Sequence, residues 1–288
     1  MIPGSFAYHR PSSLKDAVAL LADLGEGART IAGGHSLIPM MKLRLATPDH
    51  LVDLGGLADL KGIQDGAEIV IGAMTTQHDL IASDVLARKL PLLRETALQI
   101  ADPQVRYMGT LGGNVANGDP GNDMPAVMLC LGATYQVTGK GGERRIAARD
   151  FYQGAYFTTL EPGEILTAIR IPVPPAGHGC AYQKLKRKIG DYATAAAAVI
   201  LTVNGSGDIG SASIGLTNVA ETPLWAEEAA KIVVGTKLDA ATVKNAVAAA
   251  EKITSPASDR RGTPQYRTKM AGVMVARALA AAKARARA

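Results

Sequence analysis

The chain has 288 residues, 47% apolar and 20% charged, enough for two or three hydrophobic cores. Its two cysteines, Cys130 and Cys180, exclude a self-contained iron–sulfur cluster or a Cys-rich zinc site, each needing about four ligands. Three Phe and one Trp are too few for a base-stacking nucleic-acid surface. The net charge of +5 points to an anionic partner. Yet the basic residues gather in Lys184–Lys188 and in the tail from Lys283, which read as a solvated strand end and as cations complementing a helix C-terminus.

Ser12 or Ser13 caps a first helix whose Leu14, Ala17, Val18, Leu21 and Leu24 fall at helical spacing, with Gly25 as its stop. A strand over Arg29 to Ala32 runs into Gly33-Gly34, a short helix follows Ser36, and Leu51 to Leu54 is a further strand. Glu68 to Gly72 reads as a strand, Thr75 or Thr76 as a helix cap, and Leu90 to Ile100 as a helix stopped by Asp102-Pro103. The stretch from Gly109 to Asp123, dense in Gly, Asn and Asp, reads as a loop, with a helix from Asn122 carrying Pro125 in its first turn. Strands follow at Thr134 to Thr138, Glu143 to Ala147 and Leu166 to Ile171, and the Pro172–Gly179 segment marks a boundary. Beyond it, Cys180 to Lys188, Ala193 to Val203 and Ile209 to Leu216 form a strand meander, and alanine-rich helices start near Pro223, Ala240 and Pro264.

Cys130, in the apolar run Ala126 to Leu131, reads as a core thiol. The absence of a disulfide framework fits a reducing cytoplasm. The opening Met1-Ile2-Pro3-Gly4-Ser5 has neither a basic nor an apolar leader region, so no signal peptide is expected. No apolar run reaches the ~18 residues that would span a bilayer.

Two glycine turns carry the chemical signal. In Ala32-Gly33-Gly34-His35-Ser36, paired glycines after a strand allow positive φ and a concavity of backbone amides that binds an anion; an ordinary tight turn has the same composition. Thr110-Leu111-Gly112-Gly113-Asn114 adds donors on Thr110, Asn114 and Asn117, while Asp123, an acceptor when ionised, suits a hydroxyl-bearing ligand. Amides for phosphate and a carboxylate for hydroxyls suit a dinucleotide; a long Asx-rich turn is the structural alternative. No G-x-G-x-x-G follows the first strand, although Asp53 lies near the spacing of a Rossmann acid. A P-loop, an EF-hand, a hydrolase elbow and any metal spacing of the five histidines are likewise absent.

Together the two turns resemble those of the FAD-binding subunits of the molybdenum hydroxylase family, which includes xanthine dehydrogenase and shares its flavin fold with vanillyl-alcohol oxidase and a bacterial cell-wall reductase. The carbon monoxide dehydrogenase branch is the nearer resemblance. It runs the full length, from Met1-Ile2-Pro3-Gly4-Ser5-Phe6 through Lys184-Leu185-Lys186-Arg187-Lys188-Ile189-Gly190-Asp191-Tyr192 to Tyr266-Arg267-Thr268-Lys269-Met270. Nicotine, quinoline and related dehydrogenases have similar flavin subunits.

The resemblance implies an α+β chain: a two-part vanillyl-alcohol-oxidase-type FAD-binding domain over 1–177, with sub-parts at about 1–54 and 55–177, then a small C-terminal α+β domain over 178–288 with a three-stranded antiparallel sheet plus helices. It implies that Ala32, Gly33, Gly34, His35, Ser36, Thr110, Leu111, Gly112, Gly113 and Asn114 hold the FAD pyrophosphate, with Leu37 adjoining and Asn117 nearby. Ile100 and Ala101 would line the flavin pocket, Asp123 would bond FAD hydroxyls, and Leu166 would be an apolar contact. Lys184 would lie near the isoalloxazine and Tyr192 against it; read without the family, these two are a solvated charge and a strand core residue. No catalytic acid, base or metal ligand is implied on this chain.

The implied partners are a large subunit with the molybdenum cofactor and a small subunit with [2Fe-2S] clusters, in a dimer of heterotrimers (a heterohexamer). The flavin would pass electrons to an external acceptor such as quinone, in the cytoplasm or at the inner face of its membrane. The alternatives are the same subunit of an N-heterocycle or aldehyde dehydrogenase, and a non-enzymatic nucleotide-binding module. A basic C-terminal helix that docks on a membrane would present Met270, Val273, Met274, Ala278 and Leu279, which also read as domain core.

Overall fold

The structure, a computed structural model, describes residues 2–287 and folds as three lobes closing on one cavity. The first lobe contains β1 (Ala7–His9), α1 (Leu14–Leu24), β2 (Ala28–Ile31), α2 (Leu37–Lys42) and β3 (His50–Asp53). Its sheet has the order β1-β3-β2, all parallel. Ser13 caps α1 through the amide of Asp16, and Gly25, at φ +63°, ends it. Ala17, Val18 and Leu21 bury the inner face of the helix against Val52 and Leu54. Asp53 is a turn residue rather than a ribose acid: its carboxylate accepts from the Gly55 amide at 2.7 Å and from the Tyr8 hydroxyl.

The second lobe begins with β4 (Ile63–Gln64) and β5 (Glu68–Gly72). Helices α3 (Gln77–Ala82), α4 (Asp84–Lys89), α5 (Pro91–Ala97), α6 (Pro103–Met108), α7 (Leu111–Ala116) and α8 (Asp123–Leu131) follow. It ends with β6 (Thr134–Gly139), β7 (Gly142–Ala147), β8 (Tyr152–Gly154), β9 (Phe157–Thr158) and β10 (Ile165–Pro172). The antiparallel sheet has the order β4-β5-β10-β6-β7, and β8 pairs with β9. Two readings need correction. Helix α5 ends at Ala97, short of Ile100, and Asp102-Pro103 starts another: Asp102 accepts from the Val105 amide at 3.0 Å, and Pro103 occupies the first turn of α6. The Gly-rich stretch is not all loop, because α7 lies within it.

The third lobe has β11 (Gly179–Leu185), β12 (Ala195–Val203), β13 (Ile209–Thr217) and β14 (Leu224–Trp225) in that spatial order, antiparallel. Helices α9 (Glu227–Val233), α10 (Ala240–Lys252) and α11 (Pro264–Arg285) complete it. The sheet therefore has a fourth strand that the sequence did not signal, the two-residue β14. The run of alanines in β12 has a packing reason. Ala196 and Ala198 face the second lobe's core, and Ala195, Ala197 and Val199 face α11, so the strand is buried on both sides.

Helix α8 joins the lobes. All nine of its residues are buried, as expected of a helix apolar on every side. A Cβ on Gly215 would lie 2.2 Å from Ala126 O, so β13 sits directly on the helix backbone. The C-terminal cations are also engaged: Arg285 bonds Glu95 at 2.5 Å and Cys180 O at 2.7 Å. Met274, Ala278 and Leu279 are core, leaving no apolar face on α11 for a membrane. No helix among the described residues is long and apolar enough to cross one.

Candidate functional site

The first glycine turn leaves β2 and enters α2. Gly34 has φ +72°, a conformation that favours glycine, and a Cβ there would meet Ile38 Cδ1 at 2.7 Å. The amides of Gly33, Gly34, His35 and Ser36 find no acceptor among the described residues, whereas Ile38 N donates to Gly34 O at 3.0 Å. Consecutive free amides around a left-handed residue form an anion-binding concavity. Gly33 has a different task. A Cβ there would stand 2.2 Å from Met108 O, so the missing side chain lets the first lobe rest on the end of α6.

The second glycine motif is built differently from the sequence reading, which counted on its amides for phosphate and on its polar side chains for donors. Leu111 N donates to Thr75 O at 2.9 Å and Gly112 N to Ala73 O at 2.8 Å. Gly113 N donates to Thr110 Oγ1 at 3.0 Å, the N-cap of α7. These amides are engaged, so the motif offers no amide cradle. Leu111 is fully buried, Gly112 packs on Ala73, and Leu166 lies in the core through β10; none of the three lines the cavity. What the motif provides is closeness and side chains. A Cβ on Gly113 would lie 3.6 Å from that of Ala32, so the two motifs meet. Asn114 Oδ1 and Gln77 Oε1 are buried at the cavity wall without a partner. Such orphaned polar atoms fit a polar ligand.

Asp123 opens α8 at the cavity floor. Lys184 Nζ lies 2.7 Å from its Oδ2, and the Tyr182 hydroxyl donates to its Oδ1 at 2.5 Å. The ion pair is nearly sealed, the two side chains being 1% and 6% exposed. Burial pushes the Asp123 carboxyl above its ordinary range, while the Lys184 ammonium and the Tyr182 hydroxyl pull it back. The expected free acceptor and free cation are thus each other's partners. Each carboxylate oxygen retains acceptor capacity toward the cavity.

The wall at Ile100 and Ala101 is held by cations. Arg106 Nη1 donates to Ile100 O at 2.9 Å, and Lys184 Nζ lies 3.4 Å from Gln99 O. Ala101 adopts φ +43°, uncommon for a residue with a Cβ. Opposite, the loop between β11 and β12 brings Gly190 to within 3.6 Å of the Ala101 backbone, measured from the Cβ position. Tyr192 follows, 43% exposed, with its ring beside Gly121. His35 stands exposed at the edge.

The enclosed volume is about 710 Å³, within the range of small-molecule and cofactor sites. All the residues given an FAD role in the sequence, except Leu111, Gly112 and Leu166, line it. Gln77, Asn122, Tyr156 and Asp191 also line it and were not assigned: Asn122 and Asp191 lie in segments the sequence marked, whereas nothing local sets Gln77 and Tyr156 apart. No group of three or more His, Cys, Asp or Glu among the described residues can hold a metal ion.

Three lobes closing on one cavity, with an amide cradle at one end and unpartnered polar atoms in its wall, fit a nucleotide-cofactor protein. The family described as "FAD binding domain in molybdopterin dehydrogenase" matches residues 4–174, and "CO dehydrogenase flavoprotein C-terminal domain" matches 180–282. The carbon monoxide dehydrogenase medium chain of Afipia carboxidovorans is 71% identical over 288 residues, covering 100% of both chains. That of Hydrogenophaga pseudoflava is 48% identical, covering 99% of both. A crystal structure of the Cu,Mo-CO dehydrogenase aligns with TM-score 0.98 at 71% identity, covering 99% of this chain and 100% of that one. The chain belongs to the FAD-binding family of the molybdopterin dehydrogenases.

Proposed function

We propose that this chain is the FAD-carrying electron-transfer subunit of a carbon monoxide-oxidising molybdenum dehydrogenase. The observation that carries the reading is full-length similarity, at 71% identity, to a carbon monoxide dehydrogenase medium chain. Bound FAD supplies the redox chemistry, taking electrons from [2Fe-2S] clusters on a partner subunit and passing them to an acceptor such as quinone.

The chain's own residues bind and orient. The free amides of Gly33 to Ser36 suit the pyrophosphate charge. Thr110, Asn114 and Asn117 supply polar contacts nearby, and Ala32, His35, Leu37 and Gly113 complete that end of the cavity. Ile100 and Ala101 form an apolar wall for the ring, and Tyr192, beside Gly121, lines the same cavity. The Lys184–Asp123 pair presents a dipole to the cavity instead of a bare cation, so its pull on a reduced ring is weaker than that of an isolated ammonium. Electron transfer asks for no general acid or base, and none is assigned.

The same reading divides the chain into an FAD-binding part, 1–177, and a C-terminal part, 178–288, and sets it in a dimer of heterotrimers in the cytoplasm. Peripheral association with the inner membrane face belongs to it as well, through surfaces other than the apolar residues of α11.

The test is purification with native partners, cofactor analysis and assay with carbon monoxide and a quinone analogue. FAD, molybdenum and iron in one complex that oxidises carbon monoxide are expected. A complex without FAD refutes the cofactor assignment, and one that oxidises only an aldehyde or N-heterocycle refutes the substrate. Fractionation of lysed cells tests membrane association, which fails if all of the complex stays in the supernatant at low salt.

A further inference from the structure

The loop between β11 and β12 crosses the cavity without regular structure of its own. Ile189 is 87% exposed and Gly190 has φ +83°, and the contacts inside the loop, Arg187 to Asp191 and Asp191 N to Lys188 O, join the loop only to itself. We propose that Arg261, in the turn between α10 and α11, is a positioning residue that ties this loop, and with it Tyr192, across the cofactor cavity. The inference rests on the reading of the cavity as an FAD site.

The tie is visible as a set of contacts on one guanidinium. Arg261 Nη2 lies 3.4 Å from Asp191 Oδ1, and its Cζ stands 5.6 Å from the centroid of the Tyr192 ring. Thus one cation holds the acid that precedes the tyrosine and faces the tyrosine itself. The other ion pair of Asp191, with Arg187 Nε at 2.9 Å, is local to the loop and cannot anchor it to anything else.

Arg261 is itself anchored from behind. Its Nη1 lies 3.2 Å from Asp259 Oδ2, which is 3.4 Å from Arg267 Nη1. Arg267 is buried in the first turn of α11, donating to Ala257 O at 2.8 Å, Thr194 O at 3.2 Å and the carbonyl of Asn218. The chain of contacts runs from the helix packed under the third lobe's sheet to the aromatic ring at the cavity. A planar fork can serve two carboxylates and an aromatic face at once, which a lysine cannot. On the far side, Gly121 lacks the Cβ that would come within 2.7 Å of Tyr192 Cδ1, so the ring is set between that glycine and Arg261.

The test uses the full chain in its native complex, loaded with FAD, and measures FAD release by recovery of flavin fluorescence on dilution. R261M is expected to release FAD about tenfold faster, the loss of one part-buried charged tie and one cation–π contact. D191N cuts the same tie from the loop side, leaves Asp259 and Arg267 intact, and is expected to speed release in the same direction; it decides the matter if R261M fails to fold. Y192L is expected to speed release and weaken flavin quenching, and R261M/Y192L to release no faster than Y192L alone. Release at the wild-type rate in R261M or D191N, or effects that multiply in the double variant, overturns the tie while leaving the FAD reading standing. A wild-type complex that takes up no FAD overturns the reading on which the tie rests.

Discussion

Asp123→Asn is the most informative single change, because it tests whether the buried ion pair is a unit. The Lys184 side chain is 1% exposed, and beyond the carboxylate its Nζ has among the described residues one further acceptor, Gln99 O at 3.4 Å. The Asn amide keeps one acceptor oxygen, enough for the Tyr182 hydroxyl or the Lys184 ammonium but not for both, and its NH2 faces the other donor. Removing one partner of a sealed pair strands the other charge, at a cost of about 3–5 kcal/mol. With ~2–4 °C per kcal/mol in a chain of this size, thermal unfolding should fall by roughly 6–20 °C.

The reciprocal change is milder. In K184M the carboxyl, already pushed up by burial, can take a proton. With a folded pKa above the unfolded one, the stability of K184M is greatest below the ordinary carboxylate value of 3.8 and falls as pH rises through the folded pKa. D123N/K184M removes both charges and should recover most of the loss, to within ~1.5 kcal/mol of wild type. Unfolding of the three variants by heat and urea, across pH, measures this. A D123N midpoint equal to wild type, or a double variant no better than D123N, refutes the reasoning.

Gly33→Ala should push the first lobe off Met108, costing about 1–3 kcal/mol and most of the FAD occupancy; unchanged flavin content after gel filtration would show that the close contact is dispensable. Glu164 accepts a bidentate pair from Arg144, Nε to Oε1 and Nη2 to Oε2, both at 2.7 Å, and that pair holds its carboxyl below the ordinary 4.5. Its stabilisation is present above pH 4.5 and lost as pH falls through the depressed value. E164Q should therefore flatten the acid limb of a urea-midpoint profile by about 1 kcal/mol after solvent screening, and an unaltered limb counts against the pair. Burial pushes the Cys130 thiol up to about 12 and Cys180 to about 11, so neither is thiolate near neutral pH. A disulfide thiol reagent should titrate both only after denaturation, and rapid reaction of the native chain would contradict their burial.

The sequence by itself determined the features that arise from neighbours along the chain. Ser13 and Thr76, each one of two caps the sequence offered, cap their helices through amides three residues on, and these interactions need no tertiary context. The apolar run Ala126 to Leu131 signalled a core thiol at Cys130 before any partner was visible, whereas the burial of β12 on both faces came from the structure. The glycine pair after β2 marked one wall of the cavity for the same reason, since left-handed φ is a local property.

Only the tertiary structure decided which glycine motif has amides to offer. The two motifs look alike as strings, but Leu111 and Gly112 give their amides to Thr75 and Ala73 on another segment, while those of Gly33 to Ser36 remain free. Likewise Asp123 and Lys184 read separately as an acceptor and a cation, and a separation of 61 positions hides that each neutralises the other. The tie from Arg261 to Asp191, 70 residues apart, is hidden in the same way. A sequence states which groups can donate and accept. Who meets whom depends on contacts distant along the chain, and only the packed lobes supply them.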